Sequence, residues 1–368
     1  KYLANIINTV TQVLVLVIKV FILYLTKNYI LFLTIDIVSN LLKNIIFSKI
    51  IDRRYPYLQE KNKVRLDSET KKELFINIKS LFLGKVGYII STVSDNLVIS
   101  SFISIKTVGL YSNYTTLVSS VSGFVSIFIS SISASVGNLI AKESEEKIYS
   151  VFKVTSLINF WLYGFSCICL YCLSEPFITL WLGRQYLMGK KVLLLIVINF
   201  MLSGLIAPID SVKSAAGLYY PDRYIPMIAA IVNMSISIIL VKPLGIIGVF
   251  IGTLVSTILF SFWIKPVLVY KNIFKKKVSK YFLEMGIKIL GIISLCLICD
   301  MLGNKVYSSY SILGLLIRMI ICIIIPNTIF ITVYYKTDEL NYLLNILNSV
   351  KSKLNDKIQT KTLEIRGK

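Results

Sequence analysis

Runs of apolar residues alternate along this 368-residue chain with shorter polar breaks. Ten runs of 17 to 25 residues stand out: Leu3–Leu25, Tyr29–Phe47, Leu81–Ile103, Val108–Ile132, Val154–Leu173, Val192–Pro208, Ile225–Val241, Gly245–Ile264, Phe282–Met301 and Ile312–Tyr335. Each is long enough to cross the roughly 30 Å hydrocarbon layer of a bilayer as a helix. Barrel strands would be shorter and would alternate with period two. Every backbone amide in lipid needs an internal partner, so the pattern predicts an all-α, polytopic membrane protein of about ten spans.

The breaks carry the organisation. The longest, "KIIDRRYPYLQEKNKVRLDSETKKELFINIK" from Lys49 to Lys79, holds a helix-breaking Tyr55-Pro56 step. Asp67-Ser68 is a capping signal for an amphipathic surface helix that turns Leu74, Phe75 and Ile78 to lipid. On the other side, the break from Ser174 to Lys191 predicts an interfacial half-helix of Phe177, Ile178, Leu180 and Trp181, with Trp181 and Tyr186 at headgroup level. Two hairpins share one layout: Asn5–Leu25 with Tyr29–Lys49, and Ile225–Val241 with Ile246–Lys265. A parallel repeat of helix bundles gives such a likeness. The expected division is 1–48, the last two helices of one lobe; 49–80, a basic linker; 81–270, a six-helix lobe; 271–335, two further helices; and 336–368, a tail.

Composition agrees with the pattern, since 55% of the residues are hydrophobic and the mean hydropathy is +0.74. A net charge of +21 raises the question of nucleic acid, but the distribution answers it differently. With Lys1 in the cytoplasm, 28 of the 40 basic residues fall in inner segments and 7 in outer ones. That bias places both ends in the cytoplasm and accounts for the charge as orientation plus attraction to anionic lipid heads. The six cysteines all fall within predicted spans, where a thiol resists becoming the thiolate that a metal needs. They are expected to pack as small apolar groups, with neither metal nor disulfide. No histidine is present, so acid–base pairs and triads built on imidazole are excluded.

A charge at mid-span costs about 2.5–3.5 kcal/mol on insertion scales. Lys43, Lys85 and Lys288 lie near inner helix ends, and Lys19 and Arg318 can reach the outer face, so each either snorkels or serves a function. Asp36 and Asp95 have side chains too short to snorkel. They face either a wet interior or a hydrogen-bonding neighbour. Gly84, Gly87, Tyr88, Ser91 and Asp95 recur at helical spacing, as do Ser112, Thr116, Ser119, Gly123, Ser126, Ser130 and Ser133. These stripes either line a cavity shared with Asn96 and Asn113 or let helices pack closely.

Three stretches carry a resemblance: "SDNLVISSFISIKTVGLYSNYTTLVSSV" (Ser94–Val121), "EPFITLWLGRQYL" (Glu175–Leu187) and "AAGLYYPDRYIPMIAAIVNMSISIILVKPLGIIGVFIGTLVST" (Ala215–Thr257). They resemble the polysaccharide biosynthesis transporters, the Wzx-type oligosaccharide repeat-unit flippases of the MOP superfamily. The resemblance implies two lobes around a central cavity, with the first four helices of the first lobe not represented here. It implies a flippase and no enzyme, working in the bacterial cell membrane in O-antigen or capsule-type synthesis. Its substrate is an undecaprenyl-pyrophosphate-linked oligosaccharide, and its neighbours are the polymerase and glycosyltransferases of the same pathway. Lys19, Lys43, Lys85 and Arg318 are then candidate counter-charges for pyrophosphate. Tyr88, Asn96, Tyr111, Asn113 and Tyr114 are candidates for the sugars. Asp36 and Asp95 are candidates for a coupling Na⁺ or H⁺, with no cofactor beyond that gradient. A MATE-like exporter or lipid II-type flippase shares the fold. A membrane polymerase needs a larger outer loop than this chain offers.

Overall fold

The computed structural model describes residues 2–59, 67–140, 143–306, 311–343 and 345, with side chains for 8–57, 67–129, 143–306, 311–343 and 345. Ser130, Ser133, the middle of the basic linker and most of the tail lie outside the described side chains. The described residues are helical, with no strand among them. In order the helices are α1 (Tyr2–Thr26), α2 (Tyr29–Arg54), α3 (Ser68–Phe102), α4 (Ile105–Ile140), α5 (Glu145–Trp181), α6 (Lys190–Ala215), α7 (Ile225–Leu244), α8 (Ile246–Ser256), α9 (Trp263–Val269), α10 (Ser279–Val306) and α11 (Ile312–Tyr334). Two π-helical turns, Thr257–Phe262 and Tyr270–Phe274, join α8 and α9 into one rod from Ile246 to Phe274. Among the described residues nine helices are long and apolar enough to cross a membrane. The tenth expected run, Val108–Ile132, lies in the 36-residue α4, part of which falls outside the described side chains.

Local chemistry explains the helix ends. Asn28 Oδ1 accepts from the amides of Ile30 (2.9 Å) and Leu31 (3.4 Å) and so starts α2. Asp67 Oδ2 accepts from the Thr70 amide at 2.8 Å and starts α3. Its hydrogen bonds to the Thr70 side chain and backbone hold this exposed carboxyl below the ordinary carboxylate range. Ser104 Oγ accepts from the Thr107 amide at 3.1 Å and begins α4.

Two expectations are corrected here. The amphipathic segment after Asp67 is not a separate surface helix, because nothing between Ser68 and Phe102 interrupts it and α3 runs as one 35-residue helix. Leu74, Phe75 and Ile78 are exposed on its first third, as their pattern required. The interfacial half-helix after Ser174 does not form either. Glu175 and Pro176 are buried inside the continuous 37-residue α5, and Ile178 is fully buried. Transmembrane helices tolerate an internal proline where neighbours re-satisfy the freed backbone group.

The chain divides into two compact units, Lys1–Lys71 and Lys72–Lys368. The first is the α1–α2 hairpin, whose second helix buries none of its residues. The second unit is built on α5 and α6, which carry most of the buried residues of its main hydrophobic core, among them Cys167, Ile168, Ile178 and Ile209. Lipid tails are as apolar as leucine, so close packing and hydrogen bonds hold these helices together. The α7–α8 hairpin shows the packing directly. A Cβ at Gly248 would meet the Leu240 carbonyl oxygen at 2.2 Å, and one at Gly252 would meet Ser237 Oγ at 2.3 Å. The GxxxG spacing brings the two backbones together as no larger residue allows.

Candidate functional site

Three polar clusters interrupt the apolar helices. The first lies in the hairpin of the first unit. Lys19 Nζ pairs with Asp36 Oδ2 at 2.6 Å and sits 4.0 Å from the Phe32 ring centroid. Asn40 Nδ2 donates to the Asp36 carbonyl at 2.9 Å, and Lys43 Nζ donates to Asn40 Oδ1 at 3.0 Å. Thr11, Gln12 and Ser39 complete a groove of about 250 Å³ that also includes Lys19, Asp36 and Lys43. Three of the candidates thus come together, but as partners of one another.

The second cluster is where α3, α7 and α8 meet. Asp95 is 8% exposed. Thr253 Oγ1 lies 3.2 and 3.1 Å from its two carboxylate oxygens and donates to them. Asn233 Oδ1 is 3.3 Å from the same hydroxyl. Ser237 Oγ lies 3.2 Å from both Asn233 Oδ1 and the Val249 carbonyl. No lysine or arginine forms an ion pair with Asp95 among the described residues. A buried carboxylate at this depth with neutral partners needs a proton or a cation. The cluster gathers one carboxylate, two hydroxyls, an amide carbonyl and a backbone carbonyl, with the Asn233 amide nitrogen buried among them. Among the described residues there is no group of three or more His, Cys, Asp or Glu fit for a metal ion.

The third cluster ties α5, α6, α10 and α11. Lys190 Nζ pairs with Asp300 Oδ1 at 2.7 Å and donates to the Tyr171 carbonyl at 3.2 Å. Arg318 is 2% exposed, donates to Asn304 Oδ1 at 2.6 Å and stands 3.7 Å from Asp300. Glu175 is buried beside them. The cysteines of α5, α10 and α11 pack in the same core, five of them buried and Cys169 half-buried.

The other candidates scatter. Lys85 lies 5.3 Å from the exposed Tyr88 ring, in a groove of about 400 Å³ that also holds Lys213, Asp222 and Arg223. Asn96 is exposed, although its neighbour Asp95 is buried. Tyr111 is half-buried and tilts over Phe250 with ring centroids 5.0 Å apart. Asn113 is half-buried too. The structure does not bring Tyr114 to a polar face: it is 1% exposed, and its hydroxyl accepts from the Met188 amide at 3.0 Å. Arg318 likewise faces its own acid and amide, so it does not reach the outer surface. The serine stripe of α4 does not face Asp95. From Ser112 to Ser126 it is exposed, and its hydroxyls donate to their own helix, as from Thr116 to Ser112 (2.7 Å) and from Ser119 to Thr115 (2.6 Å).

Sequence reasoning missed Asn233, Ser237 and Thr253, because isolated small polar residues in a span look like packing positions. It also missed the Lys19–Asp36 pair, for which a signal existed. Each residue lies eight positions from its side of the Lys27-Asn28 turn, hence at one depth in an antiparallel hairpin.

Long apolar helices define a multi-pass membrane protein. Residues 3–191, just over half of the chain, match the model of a family described as polysaccharide biosynthesis protein, and the chain belongs to that family. Its role is therefore in polysaccharide synthesis. The comparison with curated proteins gives no match. Neither does the comparison with solved structures.

Proposed function

We propose that this chain takes part in moving a lipid-linked oligosaccharide, carried on undecaprenyl pyrophosphate, from the inner to the outer leaflet of the bacterial cytoplasmic membrane. It acts as a transporter and not as an enzyme. Both ends lie in the cytoplasm, where the basic segments belong. The polymerase and glycosyltransferases of the pathway work on either side of it. A sugar–pyrophosphate head cannot cross hydrocarbon unaided and needs a polar, partly cationic route. The exposed Lys85 and Tyr88 and the hydroxyl stripe of α4 supply such a surface on the second unit, and Lys43, beside the Lys19–Asp36 pair, supplies one on the first.

The observation that carries this reading is the oxygen cluster around Asp95. A carboxylate on α3 bonded to Thr253 of α8, which is bonded in turn to Asn233 of α7, gives a proton or Na⁺ a means to change how those three helices pack. Binding a cation neutralises Asp95, and release leaves a charge that favours a wetter arrangement. Asp36 already has Lys19 as its counter-charge, so the coupling role is assigned to Asp95.

The test is translocation of a lipid-linked oligosaccharide in proteoliposomes under an imposed Na⁺ or H⁺ gradient. Asp95→Asn should lower the gradient-driven rate by at least about tenfold, equivalent to 1.4 kcal/mol in the barrier. Asn233→Ala should raise the cation concentration needed for half-maximal rate. Translocation by Asp95→Asn that matches the parent in rate and ion dependence would remove the coupling role. No translocation by the parent chain under either gradient would remove the transport reading.

A further inference from the structure

A second polar cavity lies in the second unit, apart from the Asp95 cluster. It has a volume of about 360 Å³, within the usual range for small-ligand sites, and is walled by α5, α10, the Tyr270 turn and the end of α11. Its charges do not cancel. Lys153 pairs with Glu339 at 2.7 Å, and Lys280 is 3.9 Å from Glu284. Lys288 forms no ion pair among the described residues. Its ammonium instead lies 5.4 Å from the centroid of the Phe160 ring. Tyr281 is 7% exposed, lines the cavity, and its hydroxyl has no hydrogen-bond partner among the described residues. A buried hydroxyl without a partner costs free energy, and Lys288 shares its neighbouring carboxylates, Glu284 and Glu339, with Lys280 and Lys153, so three ammonium groups face two carboxylates. Both are answered by one ligand: an anion with several acceptor oxygens.

The position narrows the ligand. Tyr281 lies in the first turn of α10, and Thr337 and Glu339 follow the end of α11, so the mouth opens where two spans end. From there Leu283, Ile287 and Leu290 form an exposed apolar stripe along α10 at helical spacing. A phosphate in the cavity can carry acyl chains along that stripe.

We propose that this cavity binds the phosphate headgroup of an anionic membrane phospholipid, with Lys288 as counter-ion and Tyr281 as hydrogen-bond donor. The inference does not depend on the transport reading. Purified full-length chain in detergent is titrated with phosphatidylglycerol, with complexes read by native mass spectrometry and protection by the rise in melting temperature. Inorganic phosphate is titrated separately. Lys288→Gln and Tyr281→Phe should each bind phosphatidylglycerol roughly tenfold more weakly, the loss of one hydrogen bond to a charged group. Lys288→Arg should recover most of the binding, and Lys305→Gln, at the far end of α10, should match the parent. Protection by inorganic phosphate at similar affinity, lost in the same variants, keeps the anion site and makes its occupant soluble phosphate. Undiminished phosphatidylglycerol binding by both Lys288→Gln and Tyr281→Phe overturns the proposal, and so does failure of either anion to bind the parent chain.

Discussion

Lys19 and Asp36 show what an isolated charge does inside a span. Either one alone in hydrocarbon costs about 2.5–3.5 kcal/mol on insertion scales. Paired at 2.6 Å across the hairpin, each removes much of the other's penalty. The pair therefore behaves as a unit. Lys19→Met alone and Asp36→Leu alone should each reduce the fraction of folded, membrane-inserted protein, because each leaves an uncompensated charge. The double variant should recover at least half of that loss. Fluorescence-detected size-exclusion chromatography of the four proteins checks this, and additive losses would mean the two side chains do not interact. Residue type and spacing carried a signal for this pair that the sequence reading did not use, because the turn fixes the depth of both. The Asp95 cluster was legible only in part. A mid-span acid announces itself, but its partners Thr253 and Asn233 lie 158 and 138 positions away, and only the packing of α7 and α8 on α3 brings them to it. Tyr114 erred in the other direction, since an aromatic with a hydroxyl reads equally as a sugar platform or as a core residue, and burial decides.

At the scale of elements, the apolar pattern located the spans well, because the length needed to cross a bilayer is set by the lipid and shows directly in the sequence. It failed where local signals compete with continuity. The polar break beginning at Ser174 and the capping pair at Asp67-Ser68 both suggested boundaries. The cap was real, but the helix it starts runs on into the bilayer. The proline lies inside α5, packed among other buried residues. Helix pairing depends on a still smaller feature, the missing side chain. At Gly248 a methyl group would sit 2.2 Å from the Leu240 carbonyl oxygen, whereas at Gly84 it would meet nothing within 4 Å. Gly248→Ala should therefore destabilise the second unit by about 1–3 kcal/mol, the usual cost of overpacking. Gly84→Ala, on an open helix face, should stay within about 0.5 kcal/mol of the parent. Unfolding of both variants in graded detergent mixtures gives the comparison, and equal stability would mean α7 and α8 do not pack at this distance.

For the whole molecule, the arrangement of charged ends is a statement about sidedness. Lys275 pairs with Glu145, Lys276 lies 5.2 Å from the Tyr149 ring centroid, and Lys153 pairs with Glu339. The start of α5, the segment after the Tyr270 turn and the stretch after α11 therefore gather at one end of the second unit. The turn between α3 and α4 belongs to the other end, because α4 runs from it toward the start of α5. Packing alone makes these ends opposite, and the proposed orientation, with the lysine-rich segments inside, puts the first in the cytoplasm. A single cysteine at position 106, in the first turn of α4, should then react with a membrane-impermeant thiol reagent applied to intact cells. One at position 276 should react only after permeabilisation. The native cysteines give little background, as five are buried and Cys169 is half-buried. The reverse pattern would keep the fold but invert the protein, and with it the direction of export. Equal labelling of both positions from outside would mean that α4 does not cross the membrane. In that case the oxygen cluster around Asp95 could not couple an ion gradient to movement between leaflets, whatever its affinity for a cation.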